Sequence, residues 1–144
     1  MKITAFDPIV IQLPGSSSYT WRSLEVPIGH YVVLRIETDE GIVGLGEAPA
    51  ILSWGGENQR YSGEDPGIVC HLINNCIAPM LTGSDPTDVK GALARMDTSI
   101  RGFSYTKAMV ESALLDITGK AAGVPVYQLL GGAARKRIPI CHSV

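Results

Sequence analysis

The chain has 144 residues, a net charge of −2, and 45% apolar against 18% charged residues. That length buries one sizeable core and leaves little room for a second domain. The charge gives no electrostatic case for nucleic acid or an acidic membrane surface, and Gly, Pro or charge breaks every apolar run, which excludes a transmembrane helix.

Residues 2–13 read as a strand with Ile3, Ala5, Ile9, Ile11 and Leu13 on one face, and Pro8 marks an edge position or a bulge. Pro14-Gly15-Ser16-Ser17-Ser18 then breaks the pattern. From Gly29 the alternation returns, with Val32, Leu34 and Ile36 on one face. Thr38-Asp39-Glu40-Gly41 is a tight connection with Gly placed for positive φ, and Ile42–Ala48 is the return strand. The three strands make an antiparallel meander. Residues 49–64 read as a long polar loop.

Asp65-Pro66 is a helix start, and Val69, Leu72, Ile73, Cys76, Ile77, Met80 and Leu81 predict one amphipathic helix over 66–81, bent or shortened by Pro79. Asp85-Pro86-Thr87-Asp88 repeats the start signal for a second helix carrying Val89, Leu93, Met96 and Ile100, ended by Gly102. A third runs from about Tyr105 to Ala122 and buries Val110, Ala113, Leu114 and Ile117. Gly123 sits at its C-terminus, and Pro125 opens a short fourth helix stopped by Gly131-Gly132. Strands followed by segregated helices predict an α+β fold. A last strand beginning at Ile138 has no evident partner, which suggests either a truncated chain or a strand that joins the meander.

No complete catalytic constellation is visible. The opening Met1–Pro8 has no signal-peptide apolar region, and three irregularly spaced cysteines argue for reduced thiols in a cytoplasmic protein. Cys70 and Cys76, six apart on a helix, lie about 120° apart around its axis and do not converge on a metal. His71 reads as a helix-surface residue, and Cys141 and His142 face opposite ways on a strand. Gly44-Leu45-Gly46-Glu47 is not a phosphate loop, because its glycines lie within a strand; close backbone approach is the physical reason for them. Glu47, at a strand end, either bonds loop backbone or reaches a ligand. Tyr19, Trp21, Arg22, Trp54 and Tyr61 fall in the two irregular segments, where amphipathic side chains suit small-molecule recognition and suit loop anchoring equally. Arg22 has Glu25 as an alternative partner to a carboxylate ligand. Arg135-Lys136-Arg137 reads as a solvated linker after a helix.

Two stretches carry a resemblance. Ile36-Glu37-Thr38-Asp39-Glu40-Gly41-Ile42-Val43-Gly44-Leu45-Gly46-Glu47-Ala48 resembles the hairpin of the mandelate racemase/muconate lactonizing enzyme group, and Val110-Glu111-Ser112-Ala113-Leu114-Leu115-Asp116-Ile117-Thr118-Gly119-Lys120-Ala121-Ala122-Gly123-Val124-Pro125-Val126-Tyr127-Gln128-Leu129-Leu130-Gly131-Gly132 resembles a long signature of the same group. The resemblance covers the whole chain. These enzymes belong to the enolase superfamily, with an α+β N-terminal capping domain followed by a modified TIM barrel. It implies a capping domain at 1–134, with its sheet in 2–48 and helices in 66–130, and a linker and first barrel strand at 135–144.

The same resemblance implies a racemase, cycloisomerase or dehydratase that removes the proton next to a substrate carboxylate, using a Lys or His base and Mg²⁺. The base and the metal ligands are expected on barrel strands beyond Val144, so no catalytic or metal-binding residue is expected in this chain, which alone should be inactive. The loops matching Gly15–Gly29 and Pro49–Gly63 close over the barrel mouth in the group, which makes Tyr19, Trp21, Arg22 and Trp54 the expected specificity residues. His142 and Ser143 are expected along the first barrel strand as possible substrate contacts. The expected partners are the chain's own barrel, further copies in a homo-oligomer and a small carboxylate. The alternatives are a free-standing α+β binding module and a structural assembly module; the reading frame past Val144 separates them from the enzyme.

Overall fold

The computed structural model describes residues 1–13, 18–21, 24–27, 30–49 and 64–140, with 18–21 and 24–27 described by their backbone. Its strands are β1 (Ile3–Gln12), β2 (Ser18–Trp21), β3 (Leu24–Pro27), β4 (His30–Thr38) and β5 (Val43–Pro49). Its helices are α1 (Pro66–Leu72), a π-helical turn (Ile73–Ile77), α2 (Ala78–Leu81), α3 (Val89–Ser99), α4 (Ser104–Ala122) and α5 (Val126–Leu129). The fold is α+β, as its sequence pattern predicts.

β1, β4 and β5 form the antiparallel meander in that order, with β1 at an edge, as Pro8 requires. Val32, Leu34 and Ile36 are buried on the inner face, and Gly41 takes φ 80° in the β4–β5 turn. The single face expected for Ile3, Ala5, Ile9, Ile11 and Leu13 does not form. The β1–β4 register shifts between Ile3 and Ala5, and such a bulge exchanges the two faces of the strand beyond it. Ile3 is therefore buried, Phe6 and Pro8 lie opposite the core residues Ile36 and Leu34, and Ile9 and Ile11 are exposed. Within the segment read as a loop, β2 and β3 pair as a second, two-stranded sheet.

Asp65 caps α1 through Ile68 N–H at 2.7 Å, with Pro66 in the first turn. The predicted helix over 66–81 continues to Leu81, but through the π turn, in which Ala78 N–H reaches back to the Ile73 carbonyl. The wider turn immediately precedes Pro79, whose ring would collide with the carbonyl one α-turn earlier. The start signal at Asp85 is also displaced. Asp85 accepts from the backbone N–H and the hydroxyl of Thr87, a local turn, while Asp88 caps α3 through Gly91 N–H at 3.0 Å. α4 buries Val110, Ala113, Leu114 and Ile117 as expected and ends at the left-handed Gly123.

The core lies between the inner sheet face and α4, with Val69, Ile73, Ile77 and Leu81 closing one flank. Each fully buried aliphatic side chain there contributes about 1.5–3 kcal/mol. Gly44 and Gly46 let α4 lie directly on β5. A Cβ at Gly44 would meet the Ala113 carbonyl and come within 2.6 Å of Ile117 Cγ1, and one at Gly46 would meet the Met109 carbonyl. The glycine pair is thus a close-approach feature, as read from the sequence. α4 also covers the free edge of β5: Leu45 N–H donates to Asp116 Oδ2 at 2.9 Å, and Lys120 Nζ donates to the Val43 carbonyl and to Asp116, both at 2.7 Å. An open ladder edge is thereby occupied. Beyond α5, residues 138–140 carry no strand pairing among the described residues.

Candidate functional site

The two ends of the sheet differ. At one end Met1 NH₃⁺ pairs with Glu40 at 2.8 Å, Lys2 N–H donates to Asp39, and Ile3 exchanges backbone hydrogen bonds with Gly83 and Ser84. That end is stitched shut. At the other end Gln12 of β1 pairs with His30 of β4, and Tyr31 of β4 pairs with Pro49 of β5. The connection carrying β2 and β3 therefore leaves and returns at this end, and the 50–63 connection leaves from it.

The return point is Glu64. This residue is fully buried, and its carboxylate accepts from Tyr105 N–H at 3.0 Å, Thr106 N–H at 2.8 Å and the Thr106 hydroxyl at 2.6 Å. Those N–H groups belong to the first turn of α4, which has no local side-chain cap. Phe103, in the capping position, is left-handed at φ 56°, a conformation costly for a non-glycine residue. Glu64 replaces the missing cap from outside the helix and meets the positive end of its dipole. Because β5 runs along α4 from Ile117 to Met109, the outgoing stem at Pro49 and the returning stem at Glu64 both lie at the α4 N-terminal end.

Several sequence-predicted site residues fall outside the described residues: Arg22, Trp54, His142 and Ser143. Tyr19 and Trp21 lie on β2, paired in backbone register with Val26 and Leu24. Glu47 is exposed on the outer sheet face, opposite Val33. His71 is exposed, with Nδ1 3.2 Å from Asn75 Nδ2, and burial pushes the Cys70 thiol above its ordinary pKa. Among the described residues no three His, Cys, Asp or Glu side chains gather where they could hold a metal ion. These residues therefore do not fit a Mg²⁺ site. Among them too, no helix is long and apolar enough to cross a membrane.

Glu64 carries no signal in the local sequence pattern. Its neighbours Asp65-Pro66 carry the local helix signal, while its partners lie 41 and 42 residues away.

The profile of the mandelate racemase / muconate lactonizing enzyme N-terminal domain family matches residues 20–131. The chain belongs to this family. An N-succinyl-L-Arg/Lys racemase of Bacillus cereus is 32% identical over 99% of this chain and 37% of its own length. A chloromuconate cycloisomerase of Cupriavidus pinatubonensis is 35% identical over 100% of this chain and 37% of its own length. A cis-3-hydroxy-L-proline dehydratase of Roseibium aggregatum is 34% identical over 100% and 38%. The crystal structure of a muconate lactonizing enzyme from Pseudomonas fluorescens, complexed with muconolactone, superposes with a TM-score of 0.80 at 34% identity, covering 93% of this chain and 35% of that one. The chain thus spans little more than a third of the length of these relatives. Family members of this type are enolase-superfamily racemases, cycloisomerases and dehydratases.

Proposed function

We propose that residues 1–134 are the substrate-capping domain of an enolase-superfamily enzyme that abstracts the proton α to a carboxylate, and that 135–144 lead into its barrel. The observation that carries this reading is the common origin of the 13–29 and 50–63 connections at one end of the sheet. Two chain segments rooted at the same end of one sheet suit enclosure of a small ligand. In this reading Tyr19, Trp21, Arg22 and Trp54 select the substrate, with Arg22 paired to its carboxylate. His142 and Ser143 reach it from the first barrel strand. The proton-removing base and the Mg²⁺ ligands belong to the barrel, and residues 1–134 contribute enclosure and water exclusion, so alone they are inactive.

Exposed apolar side chains support a covered surface. Tyr127, Leu130, Ile138 and Ile140 are 50%, 70%, 78% and 91% exposed. Grouped around the segment after α5, they suit packing against the barrel, and a homo-oligomer is part of the same reading. Its place is the cytoplasm, in keeping with thiols kept reduced.

The test is deuterium exchange. The full-length protein that carries this chain is incubated in D₂O with a panel of N-acylamino acids, muconates and hydroxyprolines. Wash-in of deuterium at the carbon next to a carboxylate, lost with EDTA and restored by Mg²⁺, is the expected result. A full-length protein without further acidic residues on strands, or without exchange on any carboxylate, would overturn the proposal in favour of a binding or assembly module.

A further inference from the structure

Glu64 is fully buried, and its carboxylate is the cap of α4 although it lies 41 and 42 residues before the N–H groups it accepts from. It precedes Asp65, and the two adjacent carboxylates hold the N-termini of two different helices, α4 and α1. The chain at 64–65 cannot shift along either helix without uncapping one of them. Lys107 N–H is already taken by the Phe103 carbonyl, so the Tyr105 and Thr106 N–H groups depend on Glu64. The outgoing stem is referenced to the same helix, through Gly46 against the Met109 backbone.

We propose that Glu64 is a positioning residue for substrate selection: by capping α4 from outside, it fixes the point at which the chain returning from 50–63 joins the body. The proposal rests on the capping function put forward above. A carboxylate suits the task because it accepts from three donors at once, whereas a glutamine oxygen would accept from Thr106 while its NH₂ group faced another donor. Loss of the clamp would displace the returning stem without touching any reacting atom. The consequence belongs to substrate binding rather than to the chemical step.

The experiment compares Glu64→Ala and Glu64→Gln with Leu81→Ala, a core variant at the stitched end, in the full-length protein. Three quantities are read: amide exchange at Tyr105 and Thr106, proteolytic cleavage within 50–63, and KM and kcat on two carboxylates that the wild type turns over. Glu64→Ala is expected to speed exchange and cleavage about tenfold beyond Leu81→Ala, as local opening does. It should also raise KM about tenfold, with kcat within about threefold and an altered KM ratio between the two substrates. Glu64→Gln should lie between Ala and wild type. Cleavage in Glu64→Ala no faster than in Leu81→Ala, or an unchanged KM ratio, would overturn the proposal. A wild type that turns over no carboxylate would overturn the capping function and the selection role with it, while exchange and cleavage would still decide whether Glu64 holds the stem.

Discussion

A methyl group on Gly46 would occupy the space of the Met109 carbonyl, which belongs to a rigid helix backbone. Gly46→Ala is therefore expected to destabilise by about 3 kcal/mol, measured by urea unfolding, because α4 must move off β5. Gly41→Ala meets no atom but imposes φ 80° on an alanine, and about 1 kcal/mol is expected there. Both glycines are legible in the sequence, one as a turn and one as a strand anomaly; which is costlier is not, since that depends on α4 lying against β5. At Cys70, burial raises the thiol pKa in the folded state, so folding favours the neutral form. The associated stability is complete below the unfolded thiol pKa and is lost as pH rises through the folded one. Alkylation of Cys70 by iodoacetamide should accordingly be slower in the folded chain than in urea, with the rate rising at higher pH. Equal rates would show that the thiol is not desolvated.

The Asp116–Lys120 pair connects a helix to a strand edge. Its spacing of four is visible in the sequence as a helical ion pair, which alone is worth a few tenths of a kcal/mol. Its use is not visible, because the Leu45 N–H and Val43 carbonyl that it satisfies lie 71 and 77 residues away. Asp116→Ala is expected to cost about 1 kcal/mol in denaturant unfolding, more than Lys120→Ala, since Lys120 is the more exposed partner. It should also raise light scattering on prolonged incubation by freeing the β5 edge. The π turn before Pro79 follows the same logic. The apolar spacing predicts the helix, and proline the disturbance, but whether the helix bends, stops or widens depends on Ile73 and Ile77 both staying buried. For β1, one inserted residue after Ile3 reverses every later face, and period-two reading cannot see a bulge.

Across the molecule, long periodic segments were legible: the β4–β5 hairpin, α4 and its glycine stop all follow from local pattern joined to one continuous core. The β2–β3 ribbon was hidden because Pro14, Gly15 and the serines before it announce a loop. The far end of the chain leaves Leu130 and Ile138 bare. Residues 1–144 produced alone are expected to self-associate with rising concentration in light scattering, and Leu130→Ser with Ile138→Ser to reduce that association without lowering the melting temperature. A strictly monomeric species over a wide range would count against a covered surface there. The unequal ends of the sheet carry a final consequence. Because the stitched end holds the meander in register, the two connections at the opposite end can change length and composition with little effect on the core. The body is then a socket, and under the capping function proposed above the 13–29 and 50–63 segments, joined at Gln12, His30, Pro49 and Glu64, are the natural unit to transplant together from a relative.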